Sequence, residues 1–162
     1  MSFILSKDYP SGKTRNIGQI VFLSIISFGV VYYIYQLWLF QDLMSHYEKA
    51  FKTEPEAYPT KVNSTTMLIF AILLPVYAIY TKYQLLHEHI ATSSIPTQEN
   101  CKSGYRALLL YLLFGISTLW IVPLILEIKW QKAFNEHILD HEYVKDWKKK
   151  QNKADQNEQN KN

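Results

Sequence analysis

The chain has 162 residues, a formal net charge of +3 and a mean hydropathy of −0.12, averages that are ordinary for a small soluble protein. The positive charge comes mostly from lysines after residue 128, which is typical of a basic tail and not of a nucleic-acid-binding face, so we exclude nucleic acid as a partner. The single cysteine, Cys101, excludes an intramolecular disulfide and a cysteine-based metal cluster within one chain.

The distribution of charge departs from these averages. Three long runs contain no charged residue, at 16–41, 62–81 and 107–126. A helix of about 20 uncharged residues matches a hydrocarbon core of about 30 Å at about 1.5 Å per residue. The sequence therefore predicts an all-α membrane protein, with three transmembrane helices in an antiparallel bundle. The spans are expected at about 17–40, 65–83 and 107–126, with a kink at Pro75 in the second.

These spans define the predicted domain organisation and location. Residues 1–147 are expected to form one membrane domain, in which 127–147 continue the third helix beyond the membrane as an amphipathic segment. Residues 148–162, rich in Lys, Asn and Gln, are expected to be a disordered tail. The predicted location is the cell membrane, multi-pass. The Lys and Arg counts on the two sides tie when only positions near the spans are counted, so the orientation stays open.

The amphipathic segment carries an apolar stripe at helical spacing. Its larger members are Trp130, Phe134, Ile138 and Val144. Because the predicted bundle offers this stripe no partner, we expect it to form an interface. The predicted partners are the lipid bilayer and other integral membrane subunits.

An internal repeat places aromatic residues at the ends of the first two spans. Residues 31–38 align with 76–83, and the aromatic positions are Tyr32, Tyr35, Trp38, Tyr77, Tyr80 and Tyr83. Tyr and Trp favour membrane interfaces because an apolar ring carries a polar group that is hydrated there. The pattern predicts interfacial anchors, and an aromatic ligand-binding site is the alternative.

The same residues carry a family resemblance. Arg15-Asn16-Ile17 opens the first span, Ser27-Phe28-Gly29 precedes the first tyrosine cluster, and residues 75–80 form a second copy. Gln131 and Asn135 follow the third span. In these features the chain resembles the small prokaryotic multi-pass membrane family catalogued as domain of unknown function 4234. The resemblance implies an uncharacterised multi-pass protein with no assigned reaction.

Two groups of histidines invite a metal interpretation. His137 and His141 lie four apart on one helical face, a spacing at which two imidazoles can bind one metal. No Glu follows the first histidine, so a third ligand would come from Glu136, His46 or another chain. A pH-sensitive pair and simple packing are the alternatives. The second group, 87–89, places its two histidines on opposite helical faces and is expected to be a solvated helix end.

The sequence holds no nucleotide-binding loop, nucleophile elbow or pair of buried carboxylates, and no charge within the three uncharged runs. We therefore expect neither an enzyme nor a resident cofactor, a divalent metal being the only cofactor that the pattern allows. The predicted function is a small accessory or structural subunit of a larger membrane complex, of the respiratory or monooxygenase type. The alternatives are a self-associating membrane protein that binds a metal, and a small transporter or lipid-handling protein.

Overall fold

The structure is a computed structural model that describes residues 6–27, 30–50, 63–95, 101–115, 117–118 and 121–159. In this part of the chain, strands β1 (Ser6–Asp8) and β2 (Lys13–Arg15) form an antiparallel sheet. The helices are α1 (Ile17–Ile26), α2 (Val30–Ala50), α3 (Ser64–Leu73), α4 (Pro75–Thr92), α5 (Gly104–Phe114) and α6 (Ile121–Gln159).

The first uncharged run folds into two helices, α1 and α2, that run in opposite directions. Arg15 Nε, just before α1, lies 2.5 Å from Asp42 Oδ2 in α2. A single straight helix would hold these residues about 40 Å apart at about 1.5 Å per residue. The reversal is capped by Ser27, whose Oγ accepts a hydrogen bond from the Val31 N–H at 3.0 Å. The run is therefore a helical hairpin.

The second uncharged run is also divided. Pro75, which lacks an N–H, begins α4, and Leu74 before it has φ −135° and ψ 64°, outside the helical region. Met67 of α3 and Ala78 of α4 share one small core cluster with Phe40, so α3 folds back against α4. Pro75 therefore begins a new helix where a kink was predicted.

The third uncharged run is divided between α5 and α6. The Tyr111 hydroxyl near the end of α5 donates to Glu127 near the start of α6. The Gly115 N–H bonds back to the Tyr111 carbonyl, and Thr118 Oγ1 accepts from the Val122 N–H. Each of the three uncharged runs is thus a hairpin of two helices.

These reversals overturn the predicted membrane architecture. Among the described residues, no helix combines the length and the apolar composition that crossing a membrane requires. The prediction of three transmembrane helices in an antiparallel bundle is wrong, and so are the membrane class and the multi-pass location that followed from it. An uncharged run of some 20 residues has the same average hydropathy whether it forms one helix or two short helices joined by a reversal.

The three longer helices, α2, α4 and α6, run side by side in the same direction. Near their starts, Gln36, Lys82 and Glu127 bond to one another. Further along, their histidines meet in the same way, as described below. Apolar side chains fill the core between these two levels: Leu39, Leu43, Leu86, Trp130 and Phe134. Consequently the three hairpin tips lie at one end of the molecule and the histidines lie toward the other.

Two features of α6 complete the fold. The Asn135 side chain accepts from the Arg15 N–H at 3.0 Å and donates to the Arg15 carbonyl at 2.8 Å, which docks β2 on the helix. Beyond this contact α6 continues to Gln159, through most of the segment for which disorder was predicted. That segment contains neither Gly nor Pro, and its Lys, Gln, Glu and Ala residues have high helix propensity. Residues 160–162 lie outside the described residues.

Candidate metal centre

Four histidines from three helices converge at one point in the core. The histidine centre consists of His46 from α2, His89 from α4, and His137 and His141 from α6. Their Nε2 atoms are 2.9 Å apart for His46 and His89, 3.0 Å for His89 and His137, and 3.1 Å for His137 and His141. All four candidate ligand atoms lie within 4.8 Å of one another.

The histidine centre is shielded from solvent. His46 and His137 have no exposed surface, and His89 and His141 are also buried. Burial, followed by the neighbouring His89, lowers the pKa of His46 to about 3, and burial likewise lowers the pKa of His137 far below its usual value. Both imidazoles are therefore neutral at physiological pH, which is the state that binds metals.

A backbone contact fixes which nitrogen of His46 is available. His46 Nδ1 lies 2.8 Å from the Ser11 carbonyl oxygen. Because a carbonyl oxygen only accepts, Nδ1 carries the proton, and Nε2 of the neutral ring presents its lone pair to the other histidines. A hydrogen bond of this kind to the remote nitrogen is the usual second contact of a metal-ligating histidine.

The turn that carries this carbonyl is itself attached to α6. The Ser11 N–H donates to Glu142 Oε1 at 2.9 Å, and Ser11 Oγ donates to the Ile138 carbonyl at 3.2 Å. A Cβ on Gly12 would lie 3.0 Å from Ile138 Cδ1 and 3.4 Å from His46 Nδ1. Glycine thus allows the turn to approach closely enough to orient the imidazole.

The short nitrogen contacts are difficult to explain by hydrogen bonds alone. Since His46 Nε2 bears no proton, its contact with His89 requires a proton on His89 Nε2. That one proton would also have to serve the contact of His89 with His137. A cation at the centre satisfies all the lone pairs together, so the arrangement fits a metal ion better than a chain of protons.

The four imidazole nitrogens limit which metal ions can bind here. Imidazole nitrogens suit Zn²⁺, Cu, Fe and Ni, whereas Ca²⁺ and Mg²⁺ prefer oxygen. A tetrahedral Zn²⁺ at about 2.0–2.1 Å from each nitrogen would separate the nitrogens by about 3.3 Å. The separations of 2.9, 3.0 and 3.1 Å given above approach this value, and all separations within the centre are 4.8 Å or less. The residues present can therefore hold a transition-metal ion if these contacts lengthen by a few tenths of an ångström and the wider separations, up to 4.8 Å, shorten.

The structure brings together more histidines than the sequence interpretation combined. His137 and His141 occupy the site as a pair, and His46, one of the three suggested sources of a further ligand, joins them. Glu136 lies elsewhere and pairs with Lys132 at 3.6 Å. The sequence pattern predicts a solvated helix end at His89, whereas the structure buries this residue in the histidine centre. A usable signal was its spacing from Leu85 and Leu86, which places it on the buried face of α4.

The apolar stripe of the predicted partner interface packs inside the chain. Trp130, Phe134 and Ile138 are at most 1% exposed, and Val144 is half-buried. The Trp130 indole N–H donates to the Lys82 carbonyl at 3.2 Å. The stripe therefore has its partner within the protein, because the parallel arrangement of α2, α4 and α6 surrounds it.

The six predicted aromatic anchors have different environments. Tyr35 and Tyr83 are buried, and their hydroxyls donate to Gln131 and Glu127. The others are partly or largely exposed: Tyr32 and Trp38 are half-buried, and Tyr77 and Tyr80 are exposed. Because α2 and α4 run in the same direction, both aromatic groups lie toward the same end of the molecule.

A second buried polar group lies nearer the hairpin tips. Glu127 accepts hydrogen bonds from Gln36, Lys82, Tyr83 and Tyr111. Burial, followed by the charge of Glu127, raises the pKa of Tyr111 far above its usual value, so its hydroxyl remains a donor. The sequence interpretation did not single out Lys82 or Glu127. Each directly follows an uncharged run, which is the pattern that could have suggested their pairing.

No family model matches the chain, and neither a curated protein nor a solved structure matches it. The resemblance to domain of unknown function 4234 therefore stays a prediction. Two positions of the resemblance, Arg15 and Asn135, are in direct contact in the structure.

Proposed function

We propose that this protein binds one divalent transition-metal ion, which we assign as Zn²⁺, through the Nε2 atoms of the histidine centre. The observation that carries the proposal is the convergence of four buried imidazoles, with the lone pair of His46 directed inward by the Ser11 carbonyl. The ion serves as a structural tie between α2, α4 and α6.

The ligand number favours a structural role over a catalytic one. Catalytic zinc sites keep one position for water or substrate, whereas structural sites have four protein ligands. Here four histidines supply four nitrogen ligands, and all four are buried. We therefore propose a non-catalytic protein. A role as an accessory subunit of a larger assembly is compatible with this proposal and stays a prediction.

Metal binding in such a site contributes directly to folding. The ligands come from three helices that are distant in the sequence, so the unfolded chain has no preformed site. Anything that binds the folded state and not the unfolded state stabilises the protein by mass action. Chelation should therefore lower the thermal midpoint, and added Zn²⁺ should restore it.

The test compares two histidines that are close in sequence. We expect one Zn²⁺ per purified chain by elemental analysis, and a loss of bound metal in His89→Ala. His87→Ala is the matched control, because His87 Nδ1 contacts the Cys101 carbonyl at 2.8 Å and lies outside the histidine centre. This control should retain the metal.

A spectroscopic substitution tests the geometry independently of affinity. The wild-type chain reloaded with Co²⁺ should show the intense visible bands of a tetrahedral centre, and His89→Ala should lose them. A protein that takes up no transition metal, or in which both variants retain it equally, would contradict the proposal. Weak bands of an octahedral ion would contradict the assignment of a closed four-histidine site.

A further inference from the structure

The end of the molecule formed by the hairpin tips is apolar. We define the apolar end as the tip-proximal halves of the three hairpins, where α1, α3 and α5 end and α2, α4 and α6 begin. Its most exposed side chains, each at least 61% exposed, are Ile25, Val30, Ile72, Leu73, Leu112 and Leu113. Among the described residues, the exposed large hydrophobic side chains outside the uncharged runs are Tyr105, Leu139, Tyr143 and Trp147.

The height of this end is close to the thickness of one lipid leaflet. The first charged residues after the tips are Asp42, Lys82 and Glu127, six to twelve residues beyond the starts of their helices. At about 1.5 Å per residue this is about 9–18 Å. Half of a hydrocarbon core of about 30 Å is about 15 Å. The hairpins are thus deep enough to enter one leaflet.

The polar groups at the chain reversals are bonded internally, whereas the buried Ser24 Oγ in α1 has no hydrogen-bond partner among the described residues. Ser27 and Thr118 accept from backbone N–H groups at the starts of α2 and α6, and Ser117 Oγ donates to the Leu113 carbonyl. The Leu74 N–H bonds to the Phe70 carbonyl at 2.7 Å. Internal pairing of this kind is what a hydrocarbon environment requires of a reversing chain.

The base of the third hairpin has the composition of a membrane interface. Lys102, Tyr105 and Arg106 are exposed there, directly before the third uncharged run. Tyrosine favours the head-group region, and lysine and arginine suit anionic head groups. Apolar side chains are exposed on both helices of each hairpin. Fluid hydrocarbon can cover such a surface from several directions at once, whereas one flat protein face cannot.

We propose that the apolar end inserts into a single leaflet of a lipid bilayer, without crossing it, and that the histidine centre remains outside the hydrocarbon. This differs from the spanning arrangement that the structure overturned, because every hairpin enters and leaves on the same side. The insertion is independent of whether the histidine centre holds a metal.

The test uses the full chain, purified in mild detergent and mixed with phosphatidylcholine vesicles that contain a minority of anionic lipid. After detergent removal we expect the wild type to float with the vesicles. Leu73→Asp combined with Leu113→Asp places two carboxylates at the tips and should reduce the partition coefficient by about 100-fold or more. Leu139→Asp, at an exposed leucine of α6 outside the apolar end, is the matched control and should float like the wild type.

Depth and alternative occupants are tested in the same preparation. In a Cys101→Ala background, a fluorophore on Leu73→Cys should be quenched most by lipids brominated near the chain ends, and one on Leu139→Cys should not be quenched. A wild-type protein that stays with the aqueous phase would overturn the proposal. A tip variant that still floats would also overturn it. So would a tip variant whose only effect is to convert a dimer into a monomer, because a second copy of the chain would then cover the apolar end. Equal helical content by circular dichroism in all variants verifies folding without reference to the metal.

Discussion

Arg15 Nε and Asp42 Oδ2 are 2.5 Å apart, although the two residues are 27 positions apart and bound the first uncharged run. Both side chains are nearly buried, at 8% and 11% exposure. Burial raises the pKa of Asp42, and the hydrogen bond and charge of Arg15 oppose that effect. The guanidinium also lies 4.8 Å from the centre of the Trp38 ring. The contact closes the base of the first hairpin.

Asp42→Ala should destabilise the protein strongly, because it leaves a nearly buried guanidinium without its carboxylate. We expect the free energy of unfolding to fall by about 3 kcal/mol in urea denaturation. Asp8→Ala is the control: it removes the partner of Lys13 from a pair in which Asp8 is 80% exposed. That change should be less than about 1 kcal/mol. Equal effects of the two substitutions would show that the Arg15 contact does not hold the hairpin.

Lys82 and Glu127 should be strongly coupled in a double-mutant cycle. Both are buried, at 2% and 5% exposure, so removing either partner leaves a buried charge. We expect Lys82→Met and Glu127→Leu each to cost about 3 kcal/mol or more, and the double variant to cost clearly less than their sum. The exposed pair Lys132 and Glu136 is the reference, with a coupling of about 0.5 kcal/mol or less. Additive effects at Lys82 and Glu127 would contradict this prediction.

The sequence predicts the helical content and the positions of the breaks. It does not predict the direction that the chain takes at each break. Pro75 and Gly115 are visible interruptions, and both lie where one helix gives way to the next. Whether such a position bends a helix or reverses it depends on contacts between distant residues. The pairing of Arg15 with Asp42 decides this for the first run, and local hydropathy carries no information about that pairing.

The sequence predicts only part of the histidine centre, because it does not show the directions in which the helices run. His137 and His141 are one helical turn apart, so their common face follows from the spacing alone. His46 and His89 come from separate helices, and their approach requires that α2, α4 and α6 run in the same direction. The antiparallel bundle predicted from the uncharged runs places consecutive helices in opposite directions. It therefore could not bring these histidines to one level.

Glu142→Ala should weaken metal binding without changing its stoichiometry. Glu142 accepts from the Ser11 N–H, and the Ser11 carbonyl orients the His46 imidazole. Loss of such an outer contact typically costs a factor of 10–100 in metal affinity, and we expect about 10-fold here by competition with a chelator. Glu136→Ala, on the same helix but paired with Lys132, should leave the affinity unchanged. The same affinity in both variants would show that the Glu142 contact does not help to orient His46 through Ser11.

The metal-free protein should lose stability as the pH falls below the pKa of an ordinary histidine. Burial depresses the pKa of His46 to about 3 and also lowers that of His137, whereas histidines in the unfolded chain titrate near 6.5. Between these values the unfolded chain binds protons that the folded chain does not, so the free energy of unfolding decreases on acidification. Above about pH 7.5 both states are neutral at these residues and the curve should be flat.

The measurement is urea denaturation of chelator-treated protein between about pH 5 and pH 8, where most carboxylates are already ionised. His137→Leu removes one of the two shifted groups, so its pH dependence should be shallower than that of the wild type. Other groups that face His46 are His89, His141 and Lys49, and all are retained in this variant. Identical slopes would contradict the argument, because they require His137 to titrate alike in the folded and unfolded states. A wild type that gains stability on acidification would contradict it too, because the folded chain would then bind more protons than the unfolded chain.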